Sequence, residues 1–434
     1  MKKIYILAAC TILFTTTHAQ NDTTPITVSV SHSNVQQTKM PIAIIVLDET
    51  NNILDTMATI IKKDLQFTDQ FAVSIEKLNP QTIKKQLPKI MKRLAVAGAP
   101  FALCINSNSP STIEWRLYDT MQPTMIAGKK SQQKNIIMRG WAHAIADNVW
   151  KTLTNNDGFF SSRLAYCKDS KNDKGHTIRK VYITDFDGTN EELLVDLPTI
   201  TIAPRWHVKK PQLFYSEYAD TNVRLVSISM KKKRKTISSF DGINMLANFA
   251  HDGKTVVYCS SRGDGSCQLY YYKNGKLKRF TNNTGNNVSP IFLDDTRICF
   301  CSDYQTGSPQ IYIGNIETGH LQRITQGGYC TSPSYCPKTD MLVYHMMVKG
   351  TMQLFTYNFT TKEHKQLTTT AGNKHEASWS PCGTQLLFAQ EEKNSSRLVV
   401  LNLLTKKTKY LTSTNEQCSY PHWGPCYPVF PVVA

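Results

Sequence analysis

The side chains that could do chemistry are few and scattered. His375 and Glu376 stand next to each other, a potential base and acid. No second His follows at the spacing of a zinc-protease helix, so two imidazoles cannot share one helical face there. A pair of polar residues entering a strand accounts for them equally well. No Gly-x-Ser-x-Gly elbow occurs, and no second domain has the length of an α/β-hydrolase. There is no phosphate-cradling P-loop, and no repeated Asp, Gly and Trp turn of the sialidase kind. Acids far apart in sequence are left to meet in space, so paired-carboxylate chemistry stays open. The pattern names no catalytic residue, no metal ligand and no cofactor.

The 12 cysteines also lack chemistry-bearing spacing. There is no paired Cys-x-x-Cys and no Cys/His zinc pattern. Cys299 and Cys301 are two apart, so on a strand they share a face and do not pair with each other. Most are read as small buried strand residues, the usual place for free Cys. Cys259 and Cys267 flank a glycine-containing loop and form the first candidate disulfide.

The elements that would position such residues are written in a period. Trp206, Phe249, Phe292, Tyr335, Trp379 and Trp423 recur with gaps of 43, 43, 43, 44 and 44. A repeat of about 40–45 residues marks propeller blades or similar arrays. After each anchor comes a turn, such as Ala250-His251-Asp252-Gly253 or Ser380-Pro381-Cys382-Gly383. An apolar strand follows: Val256-Val257-Tyr258, Ile298-Cys299-Phe300, Leu386-Leu387-Phe388. Third strands alternate, as in Gln268-Leu269-Tyr270 and Gln353-Leu354-Phe355. Fourth strands end in an apolar residue and Thr, as in Arg279-Phe280-Thr281 and Tyr410-Leu411-Thr412. Period-two alternation between turns predicts four short antiparallel strands per repeat, and radial repetition of such units is a β-propeller. A blade buries its faces only against neighbours, so the array must close. The first repeat, from Ser161 to Tyr166 onward, lacks an opening anchor strand. The last anchor, Ser419 to Trp423, has only a short tail after it. Pairing the two gives six complete blades, with the C-terminal strand closing the first.

The rest of the chain differs. Lys2, Lys3, the apolar run Ile4 to Phe14 and Thr17-His18-Ala19 read as a secretory signal, 1–19, cleaved after Ala19. Leu7-Ala8-Ala9-Cys10 offers a lipobox as the alternative. Cleavage after Ala19 removes Cys10 and leaves 11 cysteines, an odd number, in an oxidising compartment. No other segment is a membrane-span candidate. Residues 20–40 read as a polar arm, in which Ile26 to Val30 could add as an edge strand. Residues 41–157 mix strands (Ile42 to Leu47, Phe101 to Ile105, Thr112 to Tyr118) with helices. One helix carries Ile53, Met57, Ile60, Ile61 and Leu65 on one face. The other carries Ile137, Trp141, Ile145 and Val149 and runs to about Leu153. This is an α/β domain, followed by the propeller over 158–426 and a tail over 427–434. The net charge of +17 suits acidic partners or anionic surfaces, and export argues against nucleic acid. The basic run Lys231 to Lys235 reads as a solvated turn or a protected strand edge.

In a propeller, the segment before each anchor opens onto one mouth of the central channel. Six such segments meet there: Ile243-Asn244 with Leu246, Asn286-Asn287-Val288, Thr331-Ser332, His375-Glu376, Cys418-Ser419 and the stretch before Pro204. They are mostly small and polar, with hydrogen-bonding capacity suited to an inserted partner loop. The plainer reading is that they only turn the chain into the next blade.

The helix Arg139-Gly140-Trp141-Ala142-His143-Ala144-Ile145-Ala146-Asp147 leads through Leu153-Thr154 into Gly158-Phe159-Phe160-Ser161-Ser162-Arg163-Leu164-Ala165-Tyr166. Val181-Tyr182-Ile183-Thr184-Asp185-Phe186-Asp187-Gly188-Thr189-Asn190 follows. With the domain order, this junction resembles the TolB family, periplasmic proteins of the Tol–Pal envelope system, over nearly the whole mature chain. The family's Ser-Pro-Asp-Gly blade turn survives in pieces, as His251-Asp252-Gly253 and Ser380-Pro381-Cys382-Gly383, and the cysteine content is high for such a protein. The resemblance implies a non-enzymatic scaffold that supports outer-membrane integrity and cell division. It implies that the peptidoglycan-associated lipoprotein binds at the mouth, through Ile243, Asn244, Leu246, Asn286, Asn287, Val288, Ser332, His375, Glu376 and Ser419. The match is best at Asn286-Asn287-Val288, while Ile243 and Leu246 depart from the family pattern. It implies a TolA-type inner-membrane partner for the arm. The competing readings are an exported propeller enzyme acting on peptide or glycan, which calls for a channel cluster of acids, His or Ser, and a lectin-like binder, which calls for aromatics exposed in repeated turns.

Overall fold

In the computed structural model, residues 38–47, 52–109, 112–132, 138–263 and 265–427 are described. The expected signal peptide, nearly all of the arm and all but Tyr427 of the tail lie outside them. The α/β domain runs β1 (Met40–Leu47), α1 (Asn52–Phe67), β2 (Phe71–Lys77), α2 (Pro80–Val96), β3 (Phe101–Ser109), β4 (Thr112–Asp119), β5 (Thr124–Gln132) and α3 (Met138–Thr154). The sheet order is β2-β1-β3-β4-β5. β1 is parallel to both β2 and β3, and β3, β4 and β5 are antiparallel.

The unbroken apolar run of β1 is explained by its central place, because a strand covered on both faces has no polar side. Ile42, Ile44 and Val46 face a core shared with α1 and α3. Ala43, Ile45 and Leu47 face Ile83, Ile90, Met91 and Leu94 of α2. α1 buries Met57, Ile60, Ile61 and Leu65 as expected, but Ile53 is 45% exposed and Leu54 takes its place in the core. On α3, Trp141, Ile145 and Val149 are buried, while Ile137 lies outside the described residues. α2 carries an apolar stripe that the sequence reading did not single out: Ile83, Ile90, Met91 and Leu94 are buried and Leu87 packs beside them. Asn79 caps it by accepting from Gln81 N at 2.7 Å, Pro80 starts it, and Pro88 interrupts it. Gln86 leaves helical geometry at φ −129°, ψ 19°, because Pro88 offers no N–H and crowds the preceding turn.

Six four-stranded sheets follow. The first combines Cys418–Trp423 with β6 (Arg163–Lys171), β7 (Thr177–Asp185) and β8 (Glu192–Val195). Trp423 lies opposite Leu164 and Ser419 opposite Cys167, antiparallel, so the C-terminal strand closes the ring by hydrogen bonds alone. The other five blades have inner strands Thr201–Trp206, Asn244–Phe249, Asn287–Phe292, Cys330–Cys336 and Asn373–Trp379.

The two domains share one core. Trp150, Phe159, Phe160 and Phe186 pack with Leu387, Leu398, Val400 and Trp423. Asn402 Nδ2 donates to Thr68 O at 2.9 Å, and Trp423 Nε1 donates to Ser162 Oγ at 2.7 Å. At the junction, Asp147 accepts from Phe160 N at 2.7 Å and Ser161 N at 3.0 Å. A Cβ on Gly158 would lie 2.2 Å from Asp147 Oδ1, so only glycine lets the carboxylate reach those amides. His143 on α3 sits between Asp64 of α1 (Nδ1 to Oδ2, 2.7 Å) and Asp185 of β7 (Nε2 to Oδ2, 3.6 Å). Arg139 also binds Asp185.

The eleven described cysteines are free thiols, and all but Cys426 are buried. Cys259 and Cys267 are therefore not a disulfide in this structure, and the small-hydrophobe reading describes the set.

Candidate functional site

The six inner strands share an irregularity that no side-chain pattern announces. Each has a register shift against its partner strand, lying in the segment that ends at its anchor. Three residues before each anchor the backbone is left-handed: Ala203 (φ 52°), Leu246 (60°), Ser289 (53°), Ser332 (51°), Glu376 (56°) and Tyr420 (53°). None is glycine, so each costs about 1–2 kcal/mol. β-Bulges of this kind re-aim side chains and gather at functional sites. Here five of these residues, all but Ala203, line one cavity of about 460 Å³ on the inner strands. The cavity continues past the anchors to Val208, His251 and Pro337.

At three of the six joints, neighbouring inner strands are stitched by the side chain of the residue before an anchor. His422 Nδ1 accepts from Trp206 N (3.2 Å), Asn248 Oδ1 from Phe292 N (3.0 Å), and Ser378 Oγ from Trp423 N (2.9 Å). These side chains hold the ring at a fixed diameter.

Burial disfavours the charged forms of Glu376, Arg205 and His422, which line the cavity, and of His345, which bonds the Glu376-Ala377 backbone. Burial pushes Glu376 up to about 7, against the pull of Arg205, and its carboxylate accepts from Tyr420 N. Burial lowers Arg205. Burial and then Arg205 lower His422. His345, whose Nε2 meets Ala377 N at 3.0 Å, is held down to about 3 by burial. Walls whose charged forms are disfavoured accept an apolar or neutral polar loop at low desolvation cost.

The sequence-predicted residues divide by register. Leu246, Ser332 and Glu376 line the cavity. Asn244 and Asn287 do not face it. Five residues before each anchor stand Thr201, Asn244, Asn287, Cys330, Lys374 and Cys418, and every one is 0% exposed. Asn244 Nδ2 donates to Val223 O (3.0 Å) and its Oδ1 accepts from Ser238 Oγ (2.9 Å). Asn287 Nδ2 donates to Asn283 Oδ1 (2.9 Å) and Gly285 O (3.0 Å). Lys374 Nζ donates to Ala371 O and Gly372 O at 2.8 Å. Alternation along the strand explains this: position five points into the blade and its neighbours point out.

Those neighbours, taken as a rim, lie outside the cavity lining. Ile243, Val288, His375 and Ser419 are half-buried and Asn286 is exposed. Asn286 donates to Asp303 through both N and Nδ2, at 2.6 and 3.1 Å. His375 Nε2 lies 3.1 Å from Glu391 Oε2. Ser419 Oγ is buried without a hydrogen-bond partner. Sequence reasoning missed Arg205, Ser289, Tyr420 and His422. Their constant offset from the anchors is the signal that locates them.

An α/β domain joined through a common core to a six-bladed ring with a bulge-lined channel defines a two-part propeller protein, with its candidate site on the ring axis. The TolB beta propeller domain model matches residues 150–427. The chain belongs to the TolB family. It is 27% identical over 254 residues to the Tol-Pal system protein TolB of Gluconobacter oxydans, covering 58% of this chain and 55% of that protein. It is 27% identical over 251 residues to the same-named protein of Francisella tularensis subsp. mediasiatica, covering 55% and 57%. The aligned part thus spans little more than half the length of these curated relatives. The crystal structure of TolB from Acinetobacter baumannii superposes with a TM-score of 0.73 at 21% identity, covering 89% of this chain and 97% of that one. That likeness establishes a shared fold. No helix among the described residues is long and apolar enough to cross a membrane.

Proposed function

We propose that this protein is a periplasmic scaffold of the Tol–Pal system. Its channel mouth binds the peptidoglycan-associated lipoprotein, and its N-terminal arm (20–40) binds a TolA-type inner-membrane protein. Linking the two supports outer-membrane integrity and cell division. The observation that carries the reading is the sixfold bulge. Six strained, non-glycine backbones are kept at one level, and a wall of disfavoured charge surrounds the space they open. Five of the six bulged residues line the shared space, which is the re-aiming of side chains that such bulges supply.

The partner contacts are assigned to the rim (Ile243, Asn286, Val288, His375, Ser419) and to the bulge layer (Leu246, Ser332, Glu376). Asn244 and Asn287 act one step back, by holding the rim segments in place. The test is isothermal titration of the mature chain against the soluble domain of the peptidoglycan-associated lipoprotein from the same cell. Val288→Glu and Ser332→Arg, each folded by circular dichroism, are expected to weaken binding at least about tenfold, or about 1.4 kcal/mol. Lys231→Ala, outside the channel, is expected to leave it unchanged. No binding by the folded wild type overturns the scaffold reading. Binding that ignores both channel variants moves the site elsewhere. Deleting residues 20–37 is expected to abolish binding of the TolA-type domain while the lipoprotein still binds.

A further inference from the structure

We infer that Arg205 makes the channel a carboxylate-binding site. Its guanidinium faces the cavity without a partner acid from the chain, and takes a carboxylate carried by an acidic side chain of an inserted loop or by a small free anion. Arg205 stands one residue before the anchor Trp206, is half-buried and lines the cavity. Asn248, Ser378 and His422 hold the same position on their strands, and each accepts a backbone N–H from a neighbouring strand there. A guanidinium has donors only, so Arg205 cannot stitch the ring in that way. Its one hydrogen bond among the described residues runs from Nη1 to the adjacent Pro204 O at 3.0 Å. Most of its N–H fork is left for something else.

Elsewhere in the propeller, Arg179, Arg234, Arg297 and Arg397 each hold a carboxylate. Arg205 does not. Glu376 acts on it through space but without a hydrogen bond, and that carboxylate accepts from Tyr420 N instead. Arg179, the other cation that acts on Glu376, is taken up by Asp169 at 2.5 and 3.1 Å. The cavity lining holds no Lys, no Asp and no second Arg.

Glu376 and His422 can become neutral by gaining or losing a proton. A guanidinium cannot. The cavity therefore keeps one cation that burial deprives of water, and such a charge calls for an opposite one. A carboxylate matches the planar fork with two parallel hydrogen bonds. A space of about 460 Å³ admits an acidic side chain on a loop. The site itself stands on the cavity alone. Its occupation by a loop rests on the Tol–Pal reading above, so the two are tested separately.

The first experiment titrates sodium acetate into the full chain, with sodium chloride at equal ionic strength as the reference. The indole N–H resonances of Trp379 and Trp423, which line the cavity, are expected to shift saturably with acetate and not with chloride. Those of Trp115 and Trp141 in the α/β domain are expected to stay in place. Arg205→Gln, folded by circular dichroism, is expected to lose the response. Arg205→Lys, which keeps the charge without the fork, is expected to bind acetate at least about tenfold more weakly. No acetate response in the folded wild type, or a response that survives in Arg205→Gln, overturns the site. The second experiment titrates the soluble domain of the peptidoglycan-associated lipoprotein in acetate and in chloride. Weaker binding in acetate assigns the site to the loop's own carboxylate, and equal binding assigns it to a free anion. No lipoprotein binding in either salt counts against the Tol–Pal reading and leaves the acetate result standing.

Discussion

Replacing His143 with Gln tests how the two domains are locked together. The imidazole is 5% exposed and joins Asp64 of the α/β domain to Asp185 of the first blade. Burial works against its charge, yet the nearby Asp185 carboxylate and the hydrogen-bonded Asp64 carboxylate raise its pKa from 6.5 to about 9. At about 1.4 kcal/mol per tenfold change in proton affinity, that rise corresponds to about 3 kcal/mol of preference for the charged form. Burial moves Asp64 from 3.8 to about 6, which costs a comparable amount when it ionises. The intact cluster is therefore near break-even at neutral pH, as buried ion pairs often are. Removing the imidazole is a different matter, because Asp64 is left in the interface without its cation, while Asp185 keeps Arg139. His143→Gln is expected to cost about 3 kcal/mol near neutral pH.

The pH dependence has a definite sign. A base whose folded pKa is raised contributes stability that is full below its unfolded value of 6.5 and is lost as pH rises through about 9. Asp64 is a raised acid, so its ionisation removes stability as pH rises from 3.8 through about 6. In the variant, Asp64 is expected to stay protonated at about pH 5, which softens the loss there. Urea unfolding of both proteins at about pH 5, 7.5 and 9.5 should therefore show the largest difference at the middle value. A difference that is flat with pH, or below about 1 kcal/mol near neutrality, refutes the charge-lock reasoning.

Two further perturbations bear on the same junction. Gly158→Ala places a methyl 2.2 Å from Asp147 Oδ1, and is expected to cost about 1–3 kcal/mol and lower the thermal midpoint. A midpoint equal to wild type would mean the Asp147 cap does not need that close approach. Trp423→Ala removes a 3% exposed ring that packs 5.9 Å from Phe159 and donates from Nε1 to Ser162 Oγ. It is expected to cost about 3–5 kcal/mol and to expose the first blade to limited proteolysis. Resistance equal to wild type would show that ring closure rests on the backbone pairing alone.

The outline of the fold was legible because its causes are local or periodic. Anchors such as Trp206 and Trp379 recur because each blade must bury an equivalent side chain against the next. The runs after them alternate because strands do. Ring closure followed from counting, since an unpaired first repeat and an orphan last strand complete each other. The junction was legible as a resemblance, and the structure supplies its reason in the Asp147 carboxylate and the missing side chain at Gly158. α2 was missed although Ile83, Leu87, Ile90, Met91 and Leu94 recur at helical spacing, because Pro88 inside the run argues for a break there.

The site was legible as a level on the ring but not as a set of side chains. Asn244 and Asn287 look like their neighbours in composition. Only the strand register turns them inward, where they serve the same packing position as Cys330 and Lys374. The left-handed backbones at Leu246, Ser332 and Glu376 carry no residue signature, because pairing across the blade imposes them on whatever stands there. The charge lock of His143 joins residues distant in the chain. Residue order thus determined the repeat, the number of blades and the two-part architecture, all of which depend on spacing along the chain. Which side chains meet in the channel, and which are buried beside it, was decided by register and ring closure, which exist only once the strands have paired.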